Sequence, residues 1–115
     1  MSASQASALS AIAFQLVAAL ERYEEDVGRL VRTPADVELY QRVSRHVDEL
    51  RMYAGALPSL SAAWVEVLIR HFELTHGLWR QQQAPTPEGL ATQQENLHTA
   101  VARLHKLGLR AVASN

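Results

Sequence analysis

An all-α protein, arranged as an antiparallel up-down-up-down four-helix bundle, is the expectation, and three features of the sequence carry it. Apolar residues recur at intervals of three and four along four stretches of about 22 to 30 residues. Proline occurs only at 34, 58, 85 and 87, where those stretches meet. No run of β-branched residues alternates with polar ones, and no Asn-Gly or Asp-Gly pair marks a hairpin.

The first helix is expected over roughly 4–31, with Leu9, Ile12, Leu16, Leu20, Tyr23, Val27 and Leu30 on one face. Thr33-Pro34 then supplies a hydroxyl to cap free amides and a first helical residue that needs no acceptor. A second helix follows over roughly 34–55, its face carried by Val37, Tyr40, Val43, Val47, Leu50, Ala54 and Leu57. Gly55 and Pro58 end it, and Ser59 or Ser61 can cap a third helix over roughly 60–82. Gln81-Gln82-Gln83-Ala84-Pro85 forms a polar exit, and Thr86-Pro87-Glu88 repeats the Thr-Pro start for a fourth helix over roughly 87–111. That helix buries Leu90, Leu97, Val101, Leu104 and Gly108. Short connections favour antiparallel neighbours.

The 115 residues suit one domain spanning 1–115, 48% hydrophobic and large enough for a single core. Eleven basic against twelve acidic residues, for a net charge of -1, argue against nucleic-acid binding by phosphate neutralisation. With no cysteine, disulfides, thiolate metal sites and cysteine nucleophiles are excluded. The N-terminal stretch lacks the basic start of a secretion signal, and no run approaches the ~18 apolar residues of a membrane span, so a cytoplasmic protein is expected. No Gly-x-Ser-x-Gly elbow or glycine-rich phosphate loop is present, and the expectation is a protein that is not an enzyme and carries no cofactor.

Two Glu-x-x-His spacings, Glu73 to His76 and Glu95 to His98, fall on the third and fourth helices. They resemble the paired motifs of ferritin-like carboxylate-bridged metal proteins, which imply a dinuclear site completed by one Glu from each remaining helix. Glu24 is the candidate from the first helix, giving a metal alternative of Glu73, His76, His98 and Glu24. The order departs from that family because both pairs lie on the last two helices, and Glu95 falls about 160° from Leu97 around its helix. Surface polar residues are the reading carried forward.

Leu104-His105-Lys106-Leu107-Gly108 resembles the phosphorylated histidine of phosphotransfer domains. It departs where Lys directly follows His, and His105 stands near the end of the last helix. A histidine flanking the core is the plainer reading. His46 and His71 are expected to be hydrogen-bonded and partly buried. Glu21, Glu24, Glu25 and Asp26 form an acidic band on the first helix; Arg103, Lys106 and Arg110 form a basic one on the fourth. Both are read as solvated faces that can orient a partner.

The third helix is apolar over more than half its circumference. Val65, Leu68, Phe72 and Trp79 suit the internal core, which leaves Trp64, Val67, His71, Leu74 and Leu78 as a second stripe beside or outside it. With Tyr53 and Phe14, that stripe is the expected interface of a small interaction module, a homodimer or a protein's binding partner. The alternatives are the metal-binding bundle and a bundle holding a small apolar ligand in its core, which Gln94 could line.

Overall fold

A computed structural model describes residues 3–83 and 87–113, with side chains for all of these except 81–83, 87 and 88. Four helices, α1 (Ala3–Arg32), α2 (Val37–Gly55), α3 (Ser61–Gln83) and α4 (Pro87–Ala113), make an all-α fold with no strand among the described residues. A 3-10 turn, Pro58–Leu60, joins α2 to α3. The molecule is elongated, 54 × 24 × 17 Å between Cα extremes.

The junctions differ from expectation in ways the side chains explain. Thr33 caps nothing that follows it; its hydroxyl donates to the Arg29 carbonyl at 2.9 Å and so closes α1. Asp36 starts α2 instead, its Oδ1 accepting the Leu39 amide at 3.0 Å. The second helix therefore begins at Val37 rather than near 34. Ser61 also turns backward, donating to the Pro58 carbonyl at 2.8 Å, so the 3-10 turn runs directly into α3. The expected cap at Thr86 and the polar exit ending at Pro85 lie outside the described residues and side chains.

α1 is the centre of the packing. Leu16, Leu20, Tyr23 and Leu30 are fully buried, joined by Val43 and Leu50 of α2, Val67 and Leu74 of α3, and Leu104 of α4. Burial of each such side chain contributes about 2 kcal/mol. α1 packs broadly on both α2 and α4, and α3 packs broadly on α4, whereas α2 and α3 touch only slightly. Along α1, Ser10, Glu21 and Glu24 meet Val112, His105 and His98 of α4 in falling order, which is compatible with opposed helix directions. Gly108 lets α4 approach closely, since a Cβ there would lie 2.9 Å from a Val17 methyl.

The α2 stripe is shorter than expected. Val43, Val47, Leu50, Ala54 and Leu57 are buried together with Leu39, but Val37 is 66% and Tyr40 47% exposed. α1 also contains an 18-residue window with a mean hydropathy of 1.5, long and apolar enough by composition to cross a membrane, contrary to the expectation that no stretch approaches a span. Small residues such as Ala raise that value without forming an unbroken apolar run, and Leu16 and Leu20 of the same helix sit in the protein core.

Candidate interaction site

The two apolar stripes of α3 exchange the places expected of them. Trp64, Val67, His71, Leu74 and Leu78 are buried, while Val65, Ile69, Phe72 and Trp79 are exposed and Leu68 is partly so. The stripe at 64, 67, 71, 74 and 78 alternates steps of three and four without a gap, and it faces the core on a helix that packs broadly on α4. Across the core, the Tyr23 hydroxyl of α1 reaches His71 Nδ1 at 2.8 Å. The other stripe borders the side where α2 stands away. Of the remaining residues expected at an interface, Tyr53 is half-buried against the core, and Phe14 on α1 is 61% exposed.

Where α2 and α3 diverge, a hollow of about 640 Å³ opens between them. Val37 and Tyr40 line it from α2, Phe72, His76 and Trp79 from α3, and Asp36 from the connection after α1. Phe72 and Trp79 are each 56% exposed, so large apolar side chains project beside a concavity. The His76 imidazole stacks on the Trp79 indole, with ring centroids 6.0 Å apart and planes 28° from parallel. The later start of α2 creates this feature, because Pro34 and Ala35 become part of the wall.

The metal alternative is split between two places. Glu73 accepts from Arg70 Nη1 at 3.0 Å, while His76 lies in the hollow against Trp79. Glu24 and His98 pair at 3.0 Å between α1 and α4. Among the described residues no group of three or more His, Asp or Glu side chains could hold a metal ion. His105 stands 3.6 Å from Glu21, a helix-to-helix contact. Gln94 lines only a small cleft of about 60 Å³ with Tyr23 and His98, on the surface between α1 and α4. Gln93 is the glutamine that meets α3, where the missing side chain of Gly77 makes room for its amide.

Asp26, expected on the solvated acidic band of α1, is buried. Its carboxylate receives Arg42 Nε at 3.0 Å and Nη2 at 3.3 Å, and His46 Nε2 lies 2.8 Å away. Burial pushes the Asp26 carboxyl up, but the His46 and Arg42 hydrogen bonds and the Arg42 charge prevail and hold it below the usual carboxylate range. The sequence held a signal for this: Asp26 follows Tyr23 by three and precedes Leu30 by four, on the buried stripe, and Arg42 and His46 are spaced i, i+4.

The Tyr23 and His71 pair is buried more deeply. Burial, with the Glu24 charge adding to it, raises the Tyr23 hydroxyl well above its usual range, and burial lowers the His71 imidazole to about 4. Both groups are therefore neutral near pH 7. Their hydrogen bond satisfies polar atoms that would otherwise cost about 1–3 kcal/mol each.

No family model, curated protein or solved structure matches this chain.

Proposed function

We propose that the chain is an antiparallel up-down-up-down bundle that works as a non-enzymatic cytoplasmic interaction module, pairing with a second copy of itself through the open seam between α2 and α3. The observation that carries this reading is the half-exposed α3 stripe, Val65, Ile69, Phe72 and Trp79, of which Phe72 and Trp79 line the hollow. A two-fold interface must be self-complementary, since the same patch faces itself. This patch holds both the projections and the concavity. A net charge of -1 adds little repulsion between copies. Exposed aromatic clusters of this kind favour protein contacts, because aromatic anchors dominate interface energetics.

Sedimentation equilibrium tests the proposal. A species of twice 12.8 kDa is expected, and the double substitution Phe72→Asp with Trp79→Asp should return it to a monomer with unchanged helical circular dichroism. A wild-type monomer across the whole concentration range would remove self-association. Small-molecule binding is the second reading, favoured by the volume of the hollow, which falls within the roughly 300–1,000 Å³ typical of ligand sites.

A further inference from the structure

The hollow is not a uniformly greasy surface. The rings of Tyr40, Phe72 and Trp79 line it together with His76, and Asp36 is the one carboxylate lining it among the described residues. The Asp36 carboxylate is held in place by its bond to the Leu39 amide at 3.0 Å. No Lys or Arg lines the hollow among the described residues. His76 covers one side of the Trp79 indole by stacking, which leaves the opposite π-face without a ring partner among the described residues.

We propose that this hollow binds an organic ammonium ion, a quaternary or alkylated amine carried on an apolar body. The inference rests on the small-molecule reading of the hollow and names its ligand. Aromatic faces present negative potential and attract a weakly hydrated cation, which a hydrated inorganic ion cannot exploit without losing its water. The fixed carboxylate adds attraction of the same sign and opposes an anion. Leu30, Val37 and Leu78 complete the apolar wall for the remainder of the ligand. A neutral apolar molecule would use that wall but gain nothing from Asp36.

The two tryptophans provide the readout, because Trp79 lines the hollow at 56% exposure whereas Trp64 is 8% exposed in the core. Phenyltrimethylammonium is titrated into the full chain while indole emission is followed, with its uncharged isostere tert-butylbenzene as the neutral probe and ligand-observed NMR as an independent measure. Saturable binding of the cation, at least about fivefold tighter than the neutral probe, is expected. Asp36→Asn keeps a capping oxygen at the start of α2 and should weaken the cation about fivefold while leaving the neutral probe unchanged. Phe72→Ala, at an exposed position, should weaken the cation by a similar factor.

Equal binding of both probes to the wild type overturns the ammonium assignment and leaves the hollow a small-molecule site. Binding of neither overturns both readings. Should Asp36→Asn fail to fold, the comparison of the two probes on the wild type still decides.

Discussion

The two sides of α2 are built differently. Towards α1 it is tied by polar bonds as well as apolar packing: Asp26 to Arg42 and His46, and Arg22 to Glu49 at 2.8 Å. Towards α3 it makes little contact beyond the 3-10 turn, and Tyr40 and Phe72 stand half in solvent. Helix-forming sequence is similar on both sides. What differs is whether side chains of matching depth meet across the gap, and that decides which apolar stripe becomes core and which stays open.

Substitution should separate the two sides. Leu20→Ala on the closed side removes a fully buried side chain and is expected to cost about 3–4 kcal/mol in urea unfolding. Acid should come next. In the unfolded chain His71 titrates near the ordinary ~6.5, and in the fold near 4, so the unfolded state takes the proton first. Stability then falls as pH drops from about 6.5 to 4, by up to roughly 3 kcal/mol. The double change Tyr23→Phe with His71→Leu removes both polar partners and should flatten that part of the stability curve.

Asp26→Asn is expected to cost about 1–2 kcal/mol at pH 7, a figure kept low because Arg42 is half exposed. The sign of its pH dependence is fixed by the lowered carboxyl. The stabilisation is present above the unfolded value near 3.9 and is lost as pH falls through the folded one. The difference between wild type and Asp26→Asn should therefore shrink only below about pH 4. On the open side, Phe72→Ala should change the stability of the monomer by less than about 0.5 kcal/mol. A loss there as large as that of Leu20→Ala would mean that the seam is closed in solution.

The same contrast explains how much could be read from sequence. The four helices and the α1 stripe follow from local periodicity, and Leu16, Leu20, Tyr23 and Leu30 are buried as their spacing requires. For α3, the buried stripe at 64, 67, 71, 74 and 78 repeats at three and four without a gap, while the stripe at 65, 68, 72 and 79 skips a turn. The polar His71 in the first and the large Phe72 and Trp79 in the second mask that difference. Which stripe becomes core also depends on how close α2 and α4 approach, which is a property of tertiary packing. Val37 and Tyr40 likewise fit the α2 pattern but flank an opening. The hollow itself depends on Thr33 closing α1 while Asp36 opens α2, two capping events that a Thr-Pro start conceals.

The long reach of α1 bears on how the chain is made. Ser10 bonds to the Val112 carbonyl at 3.1 Å, a contact between residues 102 positions apart. On the ribosome, α1 is synthesised before the helix that covers its α4-facing side. Its Leu16 and Leu20 can meet α2 early, through a short loop closed at little entropic cost, but the remaining flank stays wet until α4 emerges. Vectorial synthesis thus leaves the most apolar helix half clothed longest. Moving the α4 sequence ahead of α1 by circular permutation would shorten that exposure and should reduce aggregation during translation.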